Sequence, residues 1–551
     1  MLSSIKFKFG AAPGKPALEV PTPPSVTIFV GPNNSGKSQA LREIRNIFSH
    51  ANSQPHVVEQ ITFSSFTELE AQAELDAITD KPRNNEVVQA GVRFVKLAQG
   101  RGQVRDQAFI QGLQNPNENR HQFTSQYAER CIVSLDGPSR IHLVNPQSRG
   151  DLKYPESMLA RLLTDDERRK SLRNIIFEAT NLMFVIDASV GDHLHVRFGE
   201  TEPPNERTYS EETLEYMRQA RAADDVSDGI KAFAGILLQL HAGTPKVFVV
   251  DEPEAFLHPS LAFKLGKELS RGAVDEGKHV FASTHSAHFL MGAITSGATV
   301  NIIRLTYSGG VGTARLLQSN DLRLLMQDPL LRSVGVLEGL FYDYVVVGEG
   351  NADRAFYQEV NERLLSCRDK RGLPHALFLN ADNKQTIPRI LTPLRQLGIP
   401  AAGIVDLDVL KDGGSEWTKQ LNAVGMPSGE HDAYANRRST VLKSLMALDK
   451  DFKRDGGLNL LAGAEAETAW NLLLDLRRNG LFVVPRGEVE NWLSDLNVER
   501  SKNGWLRDIF ERMGSDPRSR EYITPGDGDV WDFLGEIVEW MMNPNRRGIP
   551  S

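Results

Sequence analysis

Cysteine is nearly absent: Cys131 and Cys367 are the two in 551 residues, far apart and without metal-ligand spacing. That excludes a cysteine-built zinc cage and a disulfide scaffold, and it suits a reducing cytoplasm. No apolar run approaches the ~20 residues needed to span a bilayer. Residues 1–9 alternate like a strand and lack a long apolar core, so they do not read as a signal peptide. Aromatic residues make up 7% of the chain. They are not interleaved with basic residues into a stacking platform, which argues against base-by-base reading of single strands. Net positive charge is missing too, at −8 overall. No internal repeat or low-complexity tail is visible, and apolar and charged contents are those of an ordinary globular protein. The length implies two to four domains.

Against these absences stands one specific motif. Residues 31–38 read GPNNSGKS and follow directly on the apolar stretch Val26–Val30. This is the GxxxxGK[ST] phosphate loop, with a strand before it and a helix after it. Gly31 and Gly36 let the backbone curl, so that N–H groups through Asn34 and Ser35 and the helix start face one anion. Lys37 then reaches the β- and γ-phosphates, and the Ser38 hydroxyl completes a Mg²⁺ shell. A glycine-rich turn that binds nothing is the plain alternative. With every fixed position present, the motif points to a nucleotide, ATP first.

Further along, the continuous apolar strand at 246–250 ends in Asp251-Glu252-Pro253-Glu254. Such a strand belongs to a parallel sheet buried on both faces. Asp251 is placed to hold Mg²⁺ through water, and Glu252 to orient or deprotonate the attacking water. A third strand, 279–284, delivers His285 to the same sheet edge as a γ-phosphate sensor. These pieces resemble the ABC-type ATPase heads of SMC-like and OLD (overcoming lysogenisation defect) proteins. The run 251–259 is similar to their Walker B and D-loop, and Ser283-Thr284-His285-Ser286 to their switch histidine. The resemblance implies hydrolysis between two subunits, with a signature helix from one head completing the site of the other. The best match to that signature is Val226–Lys231, which makes Ser227 and Gly229 nucleotide contacts. Asp228 stands where a small residue is common, which leaves the rate of turnover open.

The second half carries different chemistry. Tyr344–Val347 reads as a buried strand followed at once by Gly348-Glu349-Gly350-Asn351-Ala352-Asp353. A second apolar strand, Ala402–Val405, ends in Asp406-Leu407-Asp408. Carboxylates at i and i+2 on a strand share a face. Glu349 on a neighbouring parallel strand brings a third to that edge, and such a group calls for Mg²⁺ or Mn²⁺. A single D-x-D alone reads as a solvated turn. The pair of units in this order resembles the Toprim domain, and within Toprim the OLD family. Asn380–Gln385 is similar to that family's loop after its second strand, and 480–493 to its second acidic motif. Glu488 and Glu490 share a face if that segment stays extended. The resemblance implies a first metal held by Glu349, Asp353, Asp406 and Asp408, and a second held by Glu488 and Glu490. Ser501–Trp505 is similar to the late segment that carries a catalytic lysine, here Lys502.

The expected architecture is therefore α/β: an ABC-type ATPase domain over 1–335, then a Toprim domain with a Rossmann-like parallel sheet and C-terminal helical elements over 336–551. The phosphate loop and Asp251 lie too far apart for a minimal core. Residues 155–185, 209–222 and 229–241 read as helical. Part of 150–225 is expected to be a helical insertion for dimer contact; an extra layer on the same core is the alternative. The basic clusters Arg168–Lys170, Arg437-Arg438, Arg477-Arg478 and Arg546-Arg547 read as solvated helix faces. Arg486, beside the second acidic motif, is the exception.

The expected activity is ATP-gated, two-metal hydrolysis of phosphodiester bonds in DNA, with the metal ions about 4 Å apart. By resemblance, this serves bacterial defence against phage. The implied cofactors are ATP and Mg²⁺ or Mn²⁺. The implied partners are DNA, a second copy of the chain, and a helicase or a reverse transcriptase with its RNA. Three alternatives stay open. A topoisomerase would need a tyrosine on a separate DNA-gate domain, for which no segment is evident. A non-catalytic ATPase sensor would leave its carboxylates unneutralised, which is costly. A ribonuclease acting on tRNA or other RNA would use the same metal chemistry.

Overall fold

The computed structural model describes residues 1–21, 23–49, 54–81, 89–98, 100–333, 335–500 and 504–549. Lys502 lies outside the described residues. The chain divides into two compact units, Met1–Arg323 and Leu324–Ser551.

The first unit is built on a six-stranded sheet. Its order is Val311–Leu317, Val300–Ser308, Val26–Val30, His279–Ser283, Val247–Asp251, Ile132–Leu135. All neighbours run parallel except the first pair, which is antiparallel. Val26–Val30 is buried at every position, as a strand covered on both faces must be. The helix Lys37–Ser49 packs Ala40, Leu41, Ile44 and Phe48 against the sheet. Because 26–30, 279–283 and 247–251 are adjacent, their carboxyl ends bring the phosphate loop, Thr284-His285 and Asp251 to one edge. A separate antiparallel sheet joins Glu19–Pro21, Leu2–Phe7 and Val58–Phe63.

The stretch 150–225 is not helical throughout. Helices Met158–Thr164, Asp166–Thr180 and Glu211–Gln219 are present. Between them Met183–Asp187 and His193–Gly199 form an antiparallel pair. The helix expected to reach residue 185 stops at Asn181, whose φ of 56° is the left-handed cap that asparagine tolerates. The run Met-Phe-Val-Ile-Asp that follows is apolar and partly β-branched, which favours a strand. Buried Glu206 ties this lobe together through Arg169 at 2.7 Å and Arg173 at 2.6 Å.

The second unit is a four-stranded parallel sheet in the order Ala376–Asn380, Tyr344–Gly348, Ala401–Val405, Leu481–Val483. From Tyr344–Gly348 the chain goes to a neighbour on one side, then crosses to Ala401–Val405 on the other. The direction therefore switches between those two strands, where a crevice opens at the carboxyl ends of a doubly wound sheet. Glu349 and Asp406 are the residues that follow them. The C-terminal helix Asp529–Met542 supplies Trp531, Phe533, Ile537 and Trp540 to the core over one face. Buried Arg395 binds four backbone carbonyls, at Ala401, Asn479, Gly480 and Gly548, so it pins Gly548 beside the sheet.

Candidate functional site

In the first unit, the phosphate loop depends on two unusual backbone positions. Gly31 has φ of +145°, and a Cβ there would meet the Leu305 carbonyl oxygen at 2.0 Å. Asn34 sits in the left-handed region at φ 61°. The Lys37 ammonium donates to the Gly31 and Pro32 carbonyls at 2.9 and 2.7 Å. Across the sheet edge, the Ser38 hydroxyl donates to Asp251 Oδ1 at 3.1 Å, and the Ser283 hydroxyl donates to the same oxygen. Thus Ser38 and Asp251, 213 residues apart, meet.

Glu252 takes the left-handed conformation, φ 49°. Its carbonyl accepts from Arg140 Nη1 at 2.6 Å, and its carboxylate lies 3.8 Å from His285 Nε2. Glu254 accepts from the His285 backbone N–H at 2.8 Å, which fixes the histidine's loop. Arg140 is 2% exposed, and its guanidinium lies 5.9 Å from the Phe256 ring. It buttresses the turn from beneath. Burial lowers the Lys37 pKa to about 8, against the pull of Glu252 and Asp251. Burial, then the Lys37 charge, holds His285 below its usual value. Ser227 caps its own helix, Asp228–Ala242, and buried Gly229 packs against the Phe256 carbonyl.

In the second unit, Glu349, Asp406 and Asp408 each place a carboxylate oxygen within 4.8 Å of the others. The reason is not the extended pairing the spacing predicts. Asp406 precedes a 3₁₀ turn, Leu407–Lys411, and Asp408 sits within that turn. The turn brings both side chains to one place. Glu349 Oε1 accepts from the Asp406 backbone N–H at 2.9 Å, coupling the two strand ends. Asp353 accepts from the Gly350 N–H at 3.1 Å and closes the turn into the helix Asn351–Ser366.

The segment around Glu488 and Glu490 is also not extended. Val489–Asn491 is a 3₁₀ turn, so the two glutamates are not paired along an extended strand, although the Glu490 charge still acts on Glu488, Asp406 and Asp353. Among the described residues, neither glutamate joins the three-carboxylate group. Arg486 is paired with Asp529 at 3.1 Å. The other basic clusters are largely engaged within the chain: Arg169 with Glu206, Arg437 with Asp475, Arg477 with Glu536, and Arg546 with the Met541 carbonyl.

Two lysines, Lys384 and Lys453, also stand at this edge. Lys384 Nζ is 3.0 Å from Asp408 Oδ1 and donates to the Asp408 carbonyl at 2.9 Å. It belongs to the loop 380–385 that resembles an OLD-family segment, and its place in that motif is a usable signal. Lys453 Nζ is 2.8 Å from Asp406 Oδ2 and 3.4 Å from Asp408 Oδ2. It comes from a polar loop with no motif around it, and sequence offered no signal. Despite these cations, Asp406 Oδ1 is buried with no hydrogen-bond donor among the described residues. An all-carboxylate donor set with a buried, orphaned oxygen fits a hard divalent ion such as Mg²⁺ or Mn²⁺.

Residues 340–408 match the Toprim domain of overcoming-lysogenization-defect-like proteins. Residues 26–291 match an AAA-domain family described for the AbiEii toxin of a type IV toxin–antitoxin system. The chain thus carries an AAA-type ATPase domain followed by an OLD-like Toprim domain. Among solved structures, the SMC head bound to the C-terminal winged-helix domain of ScpA is 12% identical, with a TM-score of 0.35. That likeness covers 59% of this chain and 99% of the SMC chain. The SMC head domain from Thermotoga maritima is 16% identical with a TM-score of 0.28, over 57% and 99% of the two chains. Curated proteins gave no match. Together the two domains support an ATP-dependent nuclease in general terms. No helix among the described residues is long and apolar enough to cross a membrane.

Burial dominates the electrostatics of the Toprim edge. It pushes Glu349 up to about 8, with the Asp406 charge adding to it. Asp353 rises to about 7 for the same two reasons. Asp406 rises to about 6 through burial, opposed by Lys453. Glu488 rises to about 7 through burial and then Glu490. Asp408 is also desolvated, but its hydrogen bond to Lys384 and the two lysine charges hold it below the usual carboxylate value.

A carboxyl group with a raised folded pKa keeps its proton in the native state after the unfolded chain has lost it. Without divalent ions, stability of the Toprim unit therefore falls as pH rises from about 4 to about 8. Metal binding must expel those protons, so affinity rises with pH through the same window. Titration calorimetry with Mn²⁺ at about pH 6.5 and 7.5, in buffers of different ionisation enthalpy, is expected to show proton release and tighter binding at the higher pH. Affinity independent of pH would contradict these shifts. In the head, Arg140→Met leaves the Glu252 turn unsupported. ATP turnover is expected to fall by about one to two orders of magnitude with nucleotide affinity nearly kept. Unchanged turnover would remove Arg140 from the positioning of Glu252.

Proposed function

We propose that this protein is an ATP-controlled, Mg²⁺- or Mn²⁺-dependent nuclease that hydrolyses phosphodiester bonds in DNA, acting in bacterial defence against phage. The observation that carries the reading is the group of Glu349, Asp406 and Asp408 within 4.8 Å of one another, with Asp406 Oδ1 buried and unmatched. A divalent ion held there would supply Lewis-acid charge for the scissile phosphate and acidify its bound water.

Glu349, Asp406 and Asp408 would hold that ion, and Asp353 would keep the Gly348–Asp353 turn in register with them. Glu488 and Glu490 would hold a second ion. Lys384 fixes the Asp408 turn from behind, so the carboxylate cannot swing away when charge in the site changes. Lys502 would stabilise the charge growing on the phosphate.

In the head, the N–H groups of Asn33 to Ser38 and the Lys37 ammonium would bind the triphosphate, and Ser38 with Asp251 the accompanying Mg²⁺. Glu252 is the general base and His285 the γ-phosphate sensor. By the resemblance of residues 226–231 to the signature segment, Ser227 and Gly229 would serve the nucleotide of a second copy. Nucleotide-driven pairing of two heads then gates the Toprim sites. DNA would be held by its backbone, in keeping with the absence of an aromatic stacking platform.

Supercoiled plasmid and tRNA offered side by side to the purified protein, with Mn²⁺ and with or without ATP, test the reading. Plasmid nicking is expected, reduced at least about 100-fold by Asp406→Ala while ATP hydrolysis is kept. Nicking that survives Asp406→Ala would contradict the site, and cleavage of tRNA alone would move the substrate to RNA.

A further inference from the structure

Lys453 is held in the acidic edge by more than its charge. Its backbone carbonyl accepts from Asn491 Nδ2 at 2.9 Å, and Asn491 is 4% exposed. Gly487, at φ 110°, lies so close that a Cβ there would stand 2.0 Å from the same carbonyl oxygen. A second tie follows, from the Leu458 N–H to the Pro485 carbonyl at 2.8 Å. The loop that bears Lys453 is thus locked, backbone to backbone, onto the turn that bears Glu488. A lysine on an unrestrained loop keeps its ammonium in water, because burial costs hydration and rotamer freedom. Here the side chain runs inward, and the ammonium lies within 4.0 Å of three carboxylates: Asp406, Asp408 and Glu488.

We infer that Lys453 is a resident counter-cation of the Toprim site: its ammonium holds the ground between Asp406, Asp408 and Glu488 that a divalent ion needs, and the ion binds only by displacing it. The inference builds on the metal-dependent reading above. Two cations cannot share the same carboxylate oxygens at 3 to 4 Å without repelling one another. The lysine therefore does two things. It keeps the carboxylates together when no metal is present, and it raises the metal concentration at which the site loads. Because Gly487 and Asn491 hold its backbone, the displaced ammonium stays tethered beside the site. The turn 485–491 is then a clamp for Lys453 as well as a carrier of carboxylates.

Free Mn²⁺ counted by electron paramagnetic resonance, on the full chain without nucleotide, tests this. Wild type, Lys453→Met, Lys453→Arg and Asp406→Ala are compared. Lys453→Met is expected to bind Mn²⁺ at least about fivefold more tightly than wild type, whereas Lys453→Arg, which keeps the charge, does not. In chelator, Lys453→Met is expected to melt below wild type, and saturating Mn²⁺ should close that gap. Asn491→Ala keeps every charge and frees the loop, so it should shift affinity the same way by a smaller factor; it carries the test if Lys453→Met does not fold. Equal or weaker Mn²⁺ binding by Lys453→Met, or by Asn491→Ala in its place, would overturn the inference. If wild type and Asp406→Ala bind Mn²⁺ alike, the metal site itself fails, a distinct outcome.

Discussion

Carboxylates at the carboxyl edge of the Toprim sheet lose water and face one another, and the rest of that unit is arranged around this conflict. The strand order places Glu349 and Asp406 at a switch of chain direction, so they cannot move apart without breaking the sheet. Two tight turns then bring Asp408 and Glu488 towards them. Proton uptake, two lysines and a divalent ion are three ways to neutralise the same group. Burial favours the first, Lys384 and Lys453 supply the second, and the oxygen left over on Asp406 calls for the third.

The head solves the opposite problem with the same geometry. Its sheet edge gathers N–H groups and an ammonium for an anion, together with Asp251, whose carboxylate accepts from the Ser38 and Ser283 hydroxyls. Here the backbone carries the strain. Gly31 lies against a carbonyl of the neighbouring strand, and Glu252 sits in a conformation few side chains adopt. Such positions persist when the surroundings over-determine them, which is the part played by Arg140 beneath the turn. The chain thus carries an edge built for phosphate and an edge built for a divalent ion.

Much of this was legible in the sequence wherever a strand ran directly into its chemical residues. Gly31–Ser38, Asp251-Glu252, Glu349 and Asp406-x-Asp408 are all contiguous with an apolar run, so period and position sufficed. What escaped had no such anchor. The turn at Leu407–Lys411 reached the expected grouping by a different route from the extended pairing. Glu488 and Glu490 do not pair along an extended strand, because the chain turns at Val489–Asn491. The antiparallel pair after Asn181 was masked by the long helix before it, although alternation in His193–Gly199 was there to read. Lys453 enters from a loop 45 residues beyond Asp408, and only the folded chain shows what it touches.

The central claim is that Glu349, Asp406 and Asp408 form a divalent-ion site. Anomalous diffraction from crystals of the full chain grown with Mn²⁺ tests it most directly. The account predicts a manganese peak coordinated by these three carboxylates, with the Lys453 ammonium withdrawn from Asp406. Crystals with manganese elsewhere, and with Lys453 still seated between Asp406 and Asp408 at saturating metal, would contradict it.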